Sequence, residues 1–520
     1  MRRLTATLLS GALLLAPALA PSLAHADGAA KPADAAAQKK PDADTVEASA
    51  VETAHPVARS IPFHGSTLNY TVTPGTLTLR NDEGVATASI FYVAYTVKPA
   101  PGAPPRPVSF LYNGGPGSSS MWLHLGSFGP LKIALPGADM LAAAPVKLTP
   151  NQDTLLDKTD LVFIDAPTTG LSRMLGKTEG KTVFGVDGDL DAFSRAIQRY
   201  LKVYSRWDSP KFLIGESYGT LRSAGLAHLL AEKGVQLNGV ALVSTTLDIG
   251  LLFQANDRGY VNVLPTEAAA AWYHNRLAAK PADLDHFLAE VRAFADGPYA
   301  AALAKGHAVP AAERDAVAAQ VAAYTGTSAQ FVINNNLRPD PDRFRKELLR
   351  GARKTVGRLD ARFLGQDADA GGEGTEYDPT DAAMTGAWVS TINDYLFRDL
   401  GYETNLTYRP NNYAAQDGDG WNWKHNVPGL GPQISADTSV DLAAALRRNP
   451  RLKLLNIAGY YDMATPFFGA EYDLKHMAVD ADRQANITYK YYPSGHMVYI
   501  EPNSARQLRL DIEAWMDTAK

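Results

Sequence analysis

Lys211-Phe212-Leu213-Ile214-Gly215-Glu216-Ser217-Tyr218-Gly219-Thr220 is the stretch on which the fold turns. Phe212 to Ile214 form a short apolar run, the mark of a buried strand. Gly215-Glu216-Ser217-Tyr218-Gly219 follows at once, and a helical stretch begins near Thr220. A serine at so tight a strand-to-helix turn projects its hydroxyl above the sheet. The flanking glycines are needed because a side chain there would collide with neighbouring backbone. The helix start adds N–H donors for a developing oxyanion. G-x-S-x-G alone recurs by chance; between a strand and a helix it predicts a nucleophile, Ser217.

Working outward, similar apolar runs recur at Val108 to Tyr112, Leu161 to Ile164, Val240 to Val243 and Leu452 to Ile457. Runs apolar on both faces predict parallel strands buried from both sides. Leu190, Phe193, Ile197, Leu201 and Tyr204 step by three and four, an amphipathic helix between two of them. Residues 60–98 alternate in strand fashion, with Pro74-Gly75 and Asn81-Asp82-Glu83-Gly84 read as turns. Between 251 and 440 the alternation of strand and helix stops. Ala-rich helices are expected there at Glu267 to Lys280, Leu284 to Phe294 and Ala311 to Tyr324. Strands return at Leu452 and at Ile487 to Tyr492, and a helix over Ala505 to Met516 closes the chain. The fold class is α/β: an α/β-hydrolase fold with a mostly helical cap insertion. Its core would span 57–250 and 441–520, with the cap at 251–440.

The 520 residues are 46% hydrophobic and 20% charged, ordinary globular composition. Fifty basic residues against 55 acidic give a formal charge of −5. That argues against nucleic acid or an anionic membrane as principal partner. Oligomeric state stays open. Cysteine is absent, which removes disulfides, thiolate catalysis and Cys-ligated metal. Arg2-Arg3, an apolar run from Leu8 to Leu19 and Ala24-His25-Ala26 predict a signal peptide over 1–26, cleaved after Ala26. A flexible linker is expected over 27–56. An exported chain without cysteine suggests a secreted or periplasmic bacterial protein.

A serine at its ordinary pKa needs a base, and the base needs an orienting acid. In α/β-hydrolase order the acid and then the histidine follow the serine. Asp462 lies in the loop beyond Leu454 to Gly459, and His496 beyond the strand Ile487 to Tyr492. Asp165 also ends a strand but precedes the serine; it is expected to brace Ala166 to Ser172. His124 is a weaker alternative base. The glycine-rich Asn113-Gly114-Gly115-Pro116-Gly117-Ser118-Ser119-Ser120 follows the strand Val108 to Tyr112, where the other oxyanion donor sits. No Gly-Lys-Ser/Thr follows it, so it is not a phosphate loop.

Asn113 to Ser120, Gly215 to Gly219, Asp462 with Pro466, and Ser494 to Met497 together resemble the blocks of the serine carboxypeptidase family. Asp165-Ala166-Pro167 with Thr169 to Ser172 is similar to a further block in looser form. The resemblance implies an α/β-hydrolase that removes single residues from peptide C-termini through an acyl-enzyme, with no metal or organic cofactor. It implies Ser217 as nucleophile, His496 as base and Asp462 as orienting acid. It implies an oxyanion hole from the N–H groups of Gly115 and Tyr218, and Asn113, Gly114 and Glu216 around the substrate's terminal carboxylate. A carboxyl group attracts a carboxylate only by sharing a proton with it, which favours mildly acidic pH. Two family positions differ: Leu111 stands where Trp is usual, and Ser127 where a second glutamate is usual. An esterase or acyltransferase on the same triad is the alternative, and a non-catalytic envelope binding protein a third.

Asp367-Ala368-Asp369-Ala370-Gly371-Gly372 resembles half a calcium loop, but Asp378 stands at the twelfth position where a bidentate Glu is required. Trp421, Trp423 and His425 are read either as cleft lining or as the anchor of a long loop. Arg447 and Arg448 read as an ordinary helix end.

Overall fold

The computed structural model describes residues 47–134, 146–252, 256–416 and 420–519. The expected signal peptide and the linker as far as residue 46 lie outside the described residues. Ten strands form the main sheet: β1 (Val57–Phe63), β2 (Ser66–Arg80), β3 (Ala86–Thr96), β4 (Val108–Tyr112), β5 (Asp160–Ile164), β6 (Arg173–Met174), β7 (Lys211–Glu216), β8 (Gly239–Val243), β9 (Lys453–Gly459) and β10 (Ile487–Tyr492). They lie in the order β1-β2-β3-β5-β4-β7-β8-β9-β10, with β6 on the edge of β3. β1 to β3 form an antiparallel meander that meets β5 antiparallel. From β5 onward every pairing is parallel.

Period-two alternation sends the strands' side chains into two cores. On one face Phe110, Leu213 and Leu242 pack with helices α1 (Val186–Val203), α2 (Tyr218–Glu232) and α7 (Ser439–Arg448). On the other, Leu111, Ile214 and Ile457 pack with α6 (Pro379–Asn393) and α8 (Pro502–Thr518). Burial on both faces is why these strands read as continuous apolar runs. A third cluster joins α3 (Asp257–Tyr273), α4 (Leu284–Phe294) and α5 (Ala311–Thr325) to Tyr460, Tyr461 and Phe467 beyond β9. The expected insertion therefore divides. Its helices α3 to α5 have a core of their own, while α6 places Met384, Trp388 and Ile392 under the sheet. No helix among the described residues is long and apolar enough to cross a membrane.

Three local expectations are corrected. Pro74-Gly75 is not a turn: β2 runs straight through it, with Pro74 opposite Val93 and Gly75 opposite Tyr92. The pair is there because residues 53–55 cross the strand. Thr76 N–H donates to the Thr53 carbonyl, His55 N–H to that of Pro74, and a Cβ on Gly75 would collide with Thr53 and Tyr92. The same bonds shorten the expected linker, because residues 52–55 are tied to the sheet and Glu52 pairs with Arg199. Finally, α3 starts ten residues earlier than expected and contains Pro265, its start capped by the Asn256 side chain. It ends before Asn275, whose φ of 54° breaks the helix.

One buried ion pair links this frame to the glycine loop. Arg222 of α2 and Asp189 of α1 meet in two bonds of 2.6 and 3.0 Å, both side chains essentially without solvent. The guanidinium stacks 4.0 Å over Phe193 and donates at 2.7 Å to the carbonyl of Asn113. Removing one partner strands a charge in the core. Arg222→Met is expected to lower stability by about 3–5 kcal/mol in denaturant unfolding, and Arg222→Met with Asp189→Leu by less than the two single losses together. A single-variant loss below about 1 kcal/mol would show that the pair is not a structural anchor.

Candidate active site

The sheet order reverses at β4 and β7. From β4 the chain crosses to one side, to β5, and from β7 to the other, to β8. Loops leaving such neighbours diverge and open a crevice at the strands' C-terminal ends. Ser217 sits there at φ 62°, ψ −130°, between the end of β7 and the first residue of α2. Positive φ is costly for a residue with a Cβ and is held by its surroundings. Ser217 N–H donates 2.9 Å to the carbonyl of Val243, and its own carbonyl accepts from Thr220 N–H and Oγ1. A Cβ on Gly215 would strike Gly219, and one on Gly114 would strike the backbone of Tyr218 and Gly219. The glycine loop after β4 is thus in direct backbone contact with the start of α2. As the first helical residue, Tyr218 has an N–H with no acceptor inside the helix.

Asp462 and His496 follow β9 and β10. His496 Nδ1 lies 2.8 Å from Asp462 Oδ2, and both residues are buried. Asp462 Oδ1 also accepts from the N–H groups of Ala464 (2.8 Å) and Thr465 (3.0 Å), and Oδ2 from Thr465 Oγ1 (2.7 Å). Burial opposes an imidazolium at His496, but the carboxylate of Asp462, and beyond it Glu216, more than offset this and hold the ring above its ordinary pKa. Ser217, His496, Glu216, Asn113, Gly114, Gly115 and Tyr218 line one cavity of about 560 Å3. A larger cleft of about 1600 Å3 elsewhere contains no serine in its lining, so chemistry rather than size marks the site.

Glu216 is 3% exposed. Its Oε1 accepts from Asn113 Nδ2 at 2.8 Å, and Asn113 Oδ1 is itself fixed by Leu123 N–H at 3.0 Å. Glu216 Oε2 has no hydrogen-bond partner among the described residues. Burial pushes the carboxyl up to about 7, against the smaller opposing effects of His496 and Asn113. The Tyr499 hydroxyl lies nearby without a hydrogen bond of ordinary geometry.

Several sequence candidates lie away from the cavity. His124 is buried against Phe163, bonded to Tyr95 Oη at 2.6 Å, and burial lowers it to about 3. Asp165 accepts 2.8 Å from Ser120 N–H, so it braces the glycine loop as well as packing under Gly170. Ser127 donates to the Leu123 carbonyl at 2.6 Å inside its own helical turn, and Leu111 is fully buried in the sheet. Asp367 pairs with the buried Lys346 rather than facing an ion site. Trp421 and Trp423 do line the cavity, edge-on to Tyr218. His425 instead lies between Asp187 (2.6 Å) and Asp441 (2.9 Å), which overcome its burial and raise it to about 9.

Sequence reasoning missed Thr465, Tyr499 and the segment Arg358–Arg362. His496 N–H donates 2.7 Å to the carbonyl of Leu359, and Met463 N–H 3.0 Å to that of Arg358. Arg362 pairs with Asp360 and reaches Ser494 Oγ (3.1 Å) and the carbonyl of Pro493 (3.0 Å). Only the Thr-Pro step at 465–466, next to Asp462, offered a signal.

Residues 72–264 match the family described as serine carboxypeptidase. The pheromone-processing carboxypeptidase KEX1 of Saccharomyces cerevisiae is 34% identical over 135 residues, 25% of this chain. That match spans 17% of the yeast protein's length. The crystal structure of yeast KEX1, a prohormone-processing carboxypeptidase, superposes with a TM-score of 0.52 at 16% identity, over 86% of this chain and 91% of that one. Residues 72–264 are thus similar in sequence to the serine carboxypeptidase family, and the described fold is that of an α/β-hydrolase.

Proposed function

We propose that the protein is an exported serine carboxypeptidase, releasing C-terminal residues from peptides. The observation that carries this reading is a buried carboxyl, Glu216, with one oxygen unpartnered among the described residues, beside Ser217 in the cavity of the His496–Asp462 pair. In this reading Ser217 Oγ attacks the scissile carbonyl while His496 takes its proton, and His496 then returns that proton to the leaving amine. The N–H groups of Gly115 and Tyr218 hold the oxyanion. Asp462 fixes the ring through Nδ1, and water resolves the acyl-enzyme by the same path. Asn113, Gly114 and Glu216 hold the peptide's terminal carboxylate, Glu216 through a shared proton. Export, to the periplasm or the medium, is supported by the sequence of residues 1–26.

Ser127 supplies no second carboxyl to the cavity, and this favours the other reading, an esterase or acyltransferase that does not depend on a free C-terminus. One peptide digested in free-acid and amidated forms, with mass detection, separates the two. Stepwise shortening of the free acid alone is expected, and loss of at least about 10⁴-fold in Ser217→Ala. Equal cleavage of both forms, or ester hydrolysis only, would sink the carboxypeptidase and keep the triad.

The pH dependence has a defined sign. Glu216 carries its proton below about 7 and repels a substrate carboxylate above it. His496 must be neutral to accept a proton, so protonation closes activity on the acid side. A profile of kcat/KM peaking close to neutrality is expected. Glu216→Gln should abolish the alkaline fall near pH 7 and leave the acid limb. An unchanged alkaline limb would remove Glu216 from carboxylate binding.

A further inference from the structure

One strap of chain, residues 421–427, reaches two cavities. Trp421 and Trp423 line the space around Ser217, whereas His425, Asn426 and Val427 line the cleft of about 1600 Å3. The inner end of the strap is aromatic. Its two indoles meet the Tyr218 ring edge-on, with centroids 5.3 and 6.0 Å away, and the buried Arg222 guanidinium lies 5.3 Å from the same ring. Tyr218 is thus held between the strap and the Arg222–Asp189 pair. Backbone bonds tie the strap at Asn422, whose N–H donates to the Phe184 carbonyl (2.9 Å) and whose carbonyl accepts from Val186 N–H (3.1 Å).

The outer end is ionic. His425 is buried, with Nδ1 2.6 Å from Asp187 Oδ1 and Nε2 2.9 Å from Asp441 Oδ2. A carboxylate only accepts, and a neutral imidazole has a single N–H, so the imidazolium alone makes both bonds. Asp187 stands in the first turn of α1 and Asp441 in the first turn of α7, so one cation ties the strap to two helices. Asp187 also accepts from Asn426 N–H at 3.1 Å. The neighbouring charges of α1, α2 and α7 are engaged with one another. Asp191 pairs with Arg195 and Lys233, and Glu232 with Arg448 at 3.3 Å. His228 lies 3.5 Å from Glu232 and also approaches Asp441. The Asp187 side chain is 53% exposed, so solvent protons reach His425 from the cleft.

We propose that His425 is a positioning residue for the active site: its imidazolium, bridging Asp187 and Asp441, latches Trp421 and Trp423 against Tyr218 and so fixes the wall that presents the Tyr218 N–H. The proposal rests on the reading of this cavity as catalytic, for peptide and ester substrates alike. Burial opposes the charge on His425, yet the bonds to Asp187 and Asp441 raise the ring from its ordinary 6.5 to about 9. The sign follows from that direction. The ring's contribution is complete below its ordinary value and is lost as pH rises through about 9.

The test reads the strap and Ser217 separately, on the full chain, from neutral pH to about pH 10. Tryptophan emission of the wild type is expected to change with a midpoint near 9, and Trp423→Phe to remove most of that change. The rate at which a fluorophosphonate probe labels Ser217 should fall through the same midpoint. Asp187→Asn takes away one of the two opposing charges and should move both midpoints down by about one pH unit or more, a shift that a merely structural contact would not produce. His425→Gln, which cannot titrate, should abolish both transitions and lower the labelling rate at neutral pH by about 10-fold or more. If that variant does not fold, the shift in Asp187→Asn decides alone. Midpoints unmoved in Asp187→Asn, or a transition that survives in His425→Gln, would overturn the proposal. So would labelling of His425→Gln at the wild-type rate. Absence of labelling in the wild type is a different failure, that of the catalytic reading, and the emission midpoints then still show whether the latch exists.

Discussion

Everything at this site depends on two backbone segments approaching closer than any side chain permits. Gly114 lies against the amides of Tyr218 and Gly219, and Gly215 against Gly219, so three glycines lock the loop after β4 onto the elbow after β7. That contact brings Gly115 and Tyr218 to one wall and holds Ser217 in its unfavourable backbone conformation. The ion pair of Arg222 and Asp189 anchors the arrangement from below, because the guanidinium that bridges α1 and α2 also holds the carbonyl of Asn113. Glycine supplies the closeness and arginine the rigidity.

Residues 358–362 have a comparable hold on the other half of the site. Leu359 accepts from His496, Arg358 from Met463, and the Asp360–Arg362 pair reaches the loop that carries His496. Gly495 is obligatory here, since a Cβ would run into Asp360. Residues 358–362, which fall inside the expected insertion, are therefore part of the framework that holds His496.

What could be read from the sequence follows the range of the interactions involved. Strands β4, β5, β7, β8 and β9 were legible because burial on both faces leaves an uninterrupted apolar run. The Ser217 elbow was legible because its requirements, glycines flanking a serine between strand and helix, are local. Asp462 and His496 were legible by chain order and by their places just past strands, and the structure brings them together. Pro74-Gly75 misled because its role is set by residues 53–55, some twenty positions away in sequence. Residues 379–393 fall inside the expected cap range because nothing in their composition says which face of the sheet Trp388 will find. Tyr499 and the segment 358–362 carry no pattern at all; each matters only through neighbours that the fold supplies.

The division of the site across the chain has a consequence for the life of the protein in the cell that makes it. Ser217, Gly115 and Tyr218 belong to the first half of the molecule, whereas Asp462 and His496 hang on β9 and β10, the two strands that complete the sheet's far edge. A ribosome exposes Ser217 long before it has polymerised His496. In the proposed reading, Ser217 has during that interval no base to take its proton. In the proposed reading, the pair that would activate Ser217 is complete only once β9 and β10 have joined the sheet.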